Sequence, residues 1–378
     1  MKNRRILMAV TNDLVTDQRV HRSCTALQEA GYEVFLIGRM LPDSLPIKRT
    51  YRTIRMNLFF RRSAAFYAEF NIRLLFKMLF MKADIIYAND TDTLLGCYWV
   101  SRIKRKPLMM DAHELFCEVP ELVGRERVKR FWRRIEDKVI PRLSGACTVC
   151  EPISQIYNHQ YGVDFSVVRN VPMGEKLEMI PRDGSKMLLY QGAVNVGRGV
   201  DWMIEAMEYL PEYRLVVAGN GDELDDMKAL ASSKPWKDRI TFVGRLAPEE
   251  LKKLTQQAHL GLVLLADLGK NYYYSLPNRI SDFVHVGVPV LATDFPEIRK
   301  VVSHYGIGSL IDGHDPETIA QKVREMSRQW DDVDETGRQE IFSKAADELN
   351  WDSEKRHLIE VVDSLEQWPS RFSGGSRR

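Results

Sequence analysis

The 378-residue sequence predicts two α/β domains, each built on a doubly wound parallel sheet. Short apolar runs alternate with segments of helical period along most of the chain, the mark of repeated strand–helix–strand units. The alternation stops in the stretch Arg169–Ser185, which holds Pro172, Gly174, Pro181 and Gly184, and resumes at Met187. A chain of this length also divides more readily over two hydrophobic cores than one.

In the first half, Arg5–Val10, Val34–Ile37, Ile85–Tyr87, Leu108–Met110 and Ala146–Cys150 read as buried strands. Gln18–Ala30, Ala64–Phe80 and Arg127–Ile140 carry helical spacing between them. Ala64–Phe80 places Phe66, Phe70, Leu74 and Met78 on one stripe and Glu69, Arg73 and Lys77 on another. A core helix is the plain reading, and its aromatic and basic content also suits a membrane surface or a lipid-linked partner. The second half repeats the rhythm with Met187–Gln191, Arg214–Ala218, Ile240–Val243, Leu260–Leu265 and Val290–Ala292. Trp351–Leu365 is helical by its pattern Trp351, Leu358, Val361, Val362 and Leu365. The expected boundaries are therefore residues 1–170, 171–348, a terminal helix at 349–369 packing back toward the first domain, and a Gly/Ser/Arg-rich tail at 370–378 with no expected order.

Hydrophobic residues make up 44% and charged residues 28%, the balance of a soluble globular protein. After the basic start MKNRR, the apolar run Ile6–Val10 ends at Thr11-Asn12-Asp13, which is short for a secretory signal. No stretch approaches the roughly 20 apolar residues of a membrane helix, so a cytoplasmic location is expected. Cys147-Thr-Val-Cys150 is a lone CxxC inside an apolar run and reads as buried strand rather than metal site. Charge is uneven. Residues 1–170 carry 28 Lys+Arg against 18 Asp+Glu, or +10, while the remainder carries 26 against 34, or −8. An anionic membrane leaflet fits the basic half better than nucleic acid, for which no recognition motif accompanies the charge.

The most informative segment is Tyr274–Pro289. Ser275 is suited to cap a helix with Pro277 in its first turn. Asn278 and Asp282 then share one face, and Arg279 adds a cation beside the helix start. An anion-binding helix end one turn from a diol-binding carboxylate suits a nucleoside diphosphate. Gly192-Ala-Val-Asn-Val-Gly197-Arg198-Gly199 follows a strand and nearly imitates a phosphate loop. Arg198-Gly199 stands where Lys and Ser/Thr would be, so an ATPase is disfavoured while Arg198 still suits phosphate oxygens. Gly219-Asn-Gly221 and Gly244-Arg245-Leu246 are strand-end turns, each a plain turn or a ligand contact. Asp111-Ala-His113-Glu114 ends a strand on the side where such sheets bind ligands. His113 is a candidate donor to a sugar hydroxyl or phosphate, and Glu114 an acid, base or acceptor. Asp90-Thr-Asp92 matches a metal-holding DxD triplet, yet a helix start favours carboxylates anyway, and no metal is expected. Asp13, Asp17, Gln18, Arg19 and His21 crowd the first loop, where Thr16 or Asp17 fits a cap and the others fit acceptor or phosphate contact.

Together, QGAVNVGRG, VVAGNGDE, ITFVGRL, YYYSLPNRISDFVHVGVPVLATDFPEI and the Gly306–Gly308 turn resemble the retaining glycosyltransferases of family 4 in family order. The first half matches through VTDQRVHR, YANDTDTL and DAHELF. The resemblance implies the GT-B fold, two Rossmann-like domains facing across a cleft. It implies a UDP- or GDP-sugar donor, a glycan or lipid-linked acceptor and no cofactor, while the +10 first half and the aromatic segment 64–80 point to work on surface polysaccharide or glycolipid at the inner membrane face. Arg198 and Arg279 would then neutralise the diphosphate and Asp282 would hold the ribose, with Asn278 beside it. Gly192, Gly197, Gly199, Gly219 and Gly221 would line the donor pocket. Arg245 and Leu246 would meet the base, His113 the transferred sugar, and Asp13, Asp17, Arg19 and Glu114 the acceptor. Two departures stand out. Tyr274 and Asp282 replace the usual pair of Glu residues, shortening the ribose contact by roughly 1.5 Å. Ala193 replaces the usual basic residue after Gly192. A sugar-nucleotide epimerase, a non-catalytic membrane-associated binding protein and a metal-dependent transferase using Asp90 and Asp92 are the alternatives.

Overall fold

The computed structural model describes residues 4–15, 17–42, 44–173, 177–181 and 184–365. The expected tail, the Thr16 cap and Gly174 lie outside these residues. The chain forms two compact units, Met1–Asn170 with Asp352–Arg378, and Val171–Trp351.

The first unit runs β1 (Arg5–Asp13), α1 (Gln18–Glu29), β2 (Glu33–Met40), β3 (Arg52–Asn57), α2 (Ser63–Leu79), β4 (Ile85–Asn89), α3 (Thr91–Lys104), β5 (Leu108–Ala112), α4 (Glu126–Val139), β6 (Gly145–Thr148), α5 (Glu151–Tyr161) and β7 (Phe165–Val167). Its seven strands are parallel in the order β3-β2-β1-β4-β5-β6-β7. Buried strands such as β4 and β5 are apolar on both faces because helices cover both. β3 and β7 are the edges. Arg52–Asn57 is mostly polar and Phe165–Val167 is three residues long, so neither shows as an apolar run. Asp17 caps α1 by accepting the Val20 N–H, and Gly162 ends α5 in the left-handed region.

The second unit runs β8 (Met187–Gln191), α6 (Val200–Ala206), β9 (Arg214–Ala218), α7 (Leu224–Ser232), β10 (Ile240–Gly244), α8 (Pro248–Gln256), β11 (Leu260–Val263), α9 (Lys270–Tyr274), α10 (Asn278–Val284), β12 (Val290–Thr293), α11 (Pro296–Tyr305), β13 (Gly308–Ile311), α12 (Pro316–Asp331) and α13 (Glu335–Glu348). Six parallel strands are ordered β10-β9-β8-β11-β12-β13. In each sheet the chain reverses its direction of growth once, between β1 and β4 and between β8 and β11. Ligands of open α/β sheets sit beyond the strand ends at these points.

The last helix, α14 (Trp351–Ser364), packs on the first unit. Arg169 pairs with its Glu354 at 2.6 Å, and the Tyr32 hydroxyl donates to Asp363 at 2.6 Å. Cys147 lies in β6 and Cys150 precedes α5. Both are buried and neither is in a disulfide, and the strand ends two residues before the expected Cys150. No described helix is long and apolar enough to cross a membrane.

Candidate functional site

In the second unit the loop after β8 and the helix α10 bring two cations together. Arg279 is the second residue of α10 and only 7% exposed. Its guanidinium lies over the Tyr190 ring at 4.7 Å. The Arg198 guanidinium lies over the Tyr272 ring at 4.6 Å. Among the described residues neither arginine forms an ion pair, and Nη1 of Arg279 and Nε of Arg198 are buried without a hydrogen-bond partner. Burial lowers the pKa of Arg279. Tyr190 opposes that shift, and the like charge of Arg198 adds to it. A buried and a half-buried cation without a carboxylate among the described residues form an electrostatically incomplete site, which an anion would complete. Gly192 adopts φ 130°, which side-chain-bearing residues rarely take, and a Cβ there would only touch the Arg279 guanidinium, at 3.8 Å.

The neighbouring glycines serve the packing of this loop. The Gly192 N–H donates to Ala218 O at 2.9 Å, and a Cβ on Gly219 would fall 1.8 Å from Gly192 O. Gly221 backs onto Val194 in the same way, so two strand-end loops meet backbone to backbone. Gly197, Arg198 and Gly199 line a cavity of about 250 Å³ with Trp202, whose ring stacks on His314 at 3.7 Å. Asp282 accepts from the Gln191 amide at 3.0 Å, and Thr255 donates to Gln191 at 2.8 Å, which fixes the carboxylate. Asn278 and Arg245 are exposed, and Leu246 packs partly on the core. The local helix start differs from expectation. Ser275 ends α9, its hydroxyl donating to Tyr272 O at 3.0 Å, and Pro277 stands before α10 rather than in its first turn. Two short helices with an extended Ser275-Leu-Pro277 link replace one capped helix.

In the first unit the strand ends carry a buried charge network. His113 Nδ1 lies 3.1 Å from Asp90, its Nε2 3.4 Å from Asp111, and its backbone N–H donates to Asp90 at 2.8 Å. Burial works against a charged imidazole, but Asp90 and Asp111 outweigh it and hold the His113 pKa well above the ordinary value. Asp111 is fully buried. Burial alone would raise its pKa, yet Arg19 and His113 bring it well below the carboxylate range. Arg19 corrects the acceptor-facing expectation. It is 4% exposed and turned inward, with Nη2 2.6 Å from Asp111 and Nη1 donating to Val168 O at 3.0 Å. Asp13 is likewise buried and accepts from Ser44 at 2.6 Å, while Asp17 serves as the α1 cap. Glu114 is half-buried, and its carbonyl accepts from Tyr157 at 3.3 Å.

Asp90 and Asp92 point to different partners. Asp90 adopts φ 60° at the α3 start and faces His113. Asp92 accepts from Thr11 at 2.5 Å. Burial, and then the Asp90 charge, push Asp92 up to about 7. An unfolded Asp ionises near about 3.9, so between that pH and about 7 the folded state holds the extra proton and stability falls as pH rises. Asp92→Asn is expected to flatten the stability profile over that window in urea titrations. An unchanged slope would show that Asp92 ionises normally.

Sequence reasoning missed the aromatic floors Tyr190 and Tyr272, the Gln191 bridge, and Arg19 as the partner of Asp111. Tyr190 and Gln191 immediately precede the glycine loop, which was the available signal. The Arg19–Asp111 pair spans 92 residues and left none.

Two parallel α/β units, one holding unpaired arginines beyond its switch point, define a protein of GT-B type. A family model described as glycosyl transferases group 1 matches residues 178–347, and one described as glycosyltransferase family 4 matches residues 17–176. The chain belongs to this glycosyltransferase family. An uncharacterized glycosyltransferase of Methanocaldococcus jannaschii is 22% identical over 48% of this chain and 45% of that protein. The amylovoran biosynthesis glycosyltransferase of Erwinia amylovora is 22% identical over 60% of this chain and 59% of its own. The chain thus spans about half the length of these curated relatives. Sucrose-phosphate synthase from Thermosynechococcus elongatus superposes with TM-score 0.75 at 17% identity, covering 96% of this chain and 99% of that one. Anabaena HepE in complex with UDP-glucose gives TM-score 0.72 at 14% identity, covering 96% and 100%. At these identities the likeness is one of fold.

Proposed function

We propose that the protein is a retaining, metal-independent hexosyltransferase that uses a UDP- or GDP-linked sugar. The observation that carries this reading is the pair Arg198 and Arg279, half-buried and buried on tyrosine faces with no carboxylate partner among the described residues. A diphosphate supplies the missing charge, and its departure is stabilised where the cations already stand, which costs no reorganisation. Asp282, held by Gln191, accepts from the ribose hydroxyls, and the exposed turn at Gly244–Leu246 meets the base. The first unit takes the acceptor, and the protonated His113 offers an N–H to a sugar hydroxyl. Proton transfer from the acceptor to the leaving phosphate on the same face keeps the anomeric configuration. Asp90 and Asp92 take His113 and Thr11 as partners, which supports chemistry without a metal.

The acceptor is proposed to be a glycan or lipid-linked glycan of a surface polysaccharide or glycolipid, assembled at an anionic membrane face. The amylovoran biosynthesis relative supports that class. So do the exposed Phe76 and Phe80, which share one surface of α2 with Arg73 and Lys77.

Thermal-shift titration with UDP, GDP and ADP sugars tests the donor. Saturating UDP or GDP sugar at 100-fold its Kd is expected to stabilise the protein by about 2.7 kcal/mol. Equal, negligible shifts with all three would remove the transferase reading. Chelator-insensitive turnover and an α-configured product from an α-linked donor are the accompanying expectations.

A further inference from the structure

An apolar groove of about 720 Å³ opens between α2, α3 and α4 in the first unit, within the range of pockets that bury a small ligand. Trp132 forms its floor, with Tyr67, Phe116 and Phe131 set edge-on around it at 5.0, 5.2 and 5.3 Å. Its rim is exposed hydrocarbon: Ile72 is 56% and Phe131 53% exposed. An open apolar face of this kind marks a binding surface.

The groove offers few free polar groups. The Asn71 side chain is consumed internally, its amide donating to Tyr67 O and Asp92 O and its oxygen accepting from Gly96 N. A peptide would leave its backbone groups unpaired there, whereas a hydrocarbon chain has none to satisfy. The rim also carries positive charge. Arg125 lines the groove, and Arg127 and Arg134 of the adjoining helix are exposed, none in an ion pair among the described residues. At its other wall the groove includes Glu114, next in the chain to His113 at the end of β5.

We propose that this groove receives the hydrocarbon chain of a phosphate-bearing acceptor lipid, with Arg125 and Arg127 on the phosphate. The inference rests on the transferase reading for the word acceptor and deepens it, while lipid binding is read independently of transfer. A second apolar and basic surface, Phe76, Arg73 and Lys77 with the C-cap Phe80, lies on the other flank of α2 and suits the same membrane surface.

Alkyl phosphates of four to twelve carbons, kept below micelle-forming concentration, test the groove on the full-length protein. Affinity is expected to rise about fourfold per added methylene until the groove is filled. A dibrominated dodecyl phosphate should quench tryptophan emission, and Trp132→Phe should remove that quench. Ala68→Trp fills the groove from an exposed helix position and should weaken dodecyl phosphate at least tenfold, with the UDP-sugar thermal shift retained. Replacing both Arg125 and Arg127 by Ser should bring dodecyl phosphate down to the affinity of dodecanol. Chain-length-independent binding, quenching that survives Trp132→Phe, or equal affinity in Ala68→Trp and wild type would overturn the proposal. A dimer that Ala68→Trp dissociates would assign the face to a second copy and overturn it as well. Absence of a nucleotide-sugar shift with groove binding intact would instead remove the transferase reading alone.

Discussion

Arg279→Met is expected to make the ligand-free protein more stable and the enzyme nearly inactive. The guanidinium is buried, its pKa lowered by burial, and the like charge of Arg198 adds to the cost. The Tyr190 ring offsets part of this, since a desolvated cation over an aromatic face gains about 2 kcal/mol. An apolar side chain of similar length avoids the desolvation altogether, so a net gain in stability is expected. On the proposed function the same change takes a preorganised charge from the leaving diphosphate, and turnover is expected to fall by roughly 10²–10³-fold. Nucleotide-induced stabilisation should disappear with it. Unfolding in urea with and without UDP, together with single-turnover rates, checks both halves. A destabilised variant that keeps wild-type turnover would show that Arg279 is an ordinary structural cation. Arg198→Met should lose activity similarly but gain less stability, because Arg198 is only half-buried.

Arg19→Met is expected to do the opposite and destabilise the first unit by about 3–5 kcal/mol, because it strands a buried carboxylate. Asp111 would keep His113 at 3.4 Å, the Tyr87 hydroxyl at 3.2 Å and the Cys147 thiol, none of them a fixed cation in a fork on the carboxylate. For a unit of this size that loss corresponds to a fall in Tm on the order of 10 °C. Pairing it with Asp111→Asn removes the stranded charge and should recover much of the loss. The pH dependence carries the same signature. Asp111 is held below its unfolded pKa, so its contribution is full above about pH 4 and is lost as pH falls below that. His113 is held above its unfolded value, so its contribution is full below about pH 6.5 and is lost as pH rises through the folded pKa. The Arg19→Met variant should therefore lose most of the acid-side protection. A single variant within 1 kcal/mol of wild type would mean that Arg19 is not the partner that keeps Asp111 ionised.

Much of the fold was legible from periodicity. Met187–Gln191 and Arg214–Ala218 match their strands residue for residue, because a strand covered by helices on both faces must be apolar throughout. The strands left unread, β3, β7 and β13, are the short or half-exposed edges Arg52–Asn57, Phe165–Val167 and Gly308–Ile311, where solvent relaxes that demand. The second-unit arginines were legible because each stands within a few residues of a turn that marks a strand or helix end. Ser275 misled because its hydroxyl is equally able to cap a following helix or to bond back to Tyr272, and Pro277 displaced the helix start by two residues.

By itself, the sequence determined the two parallel α/β units, most of their inner strands, and the placing of Arg198 in the loop before α6 and Arg279 in the first turn of α10. Those features depend on neighbours within one turn or one strand. Only the tertiary structure decided that Arg19 closes on Asp111 across 92 residues, that His113 is held between two carboxylates, and that Tyr67, Phe116, Phe131 and Trp132 face one groove. A charge or an aromatic ring takes its role from what desolvates and pairs it, and those partners come from distant strands and helices that only packing brings together.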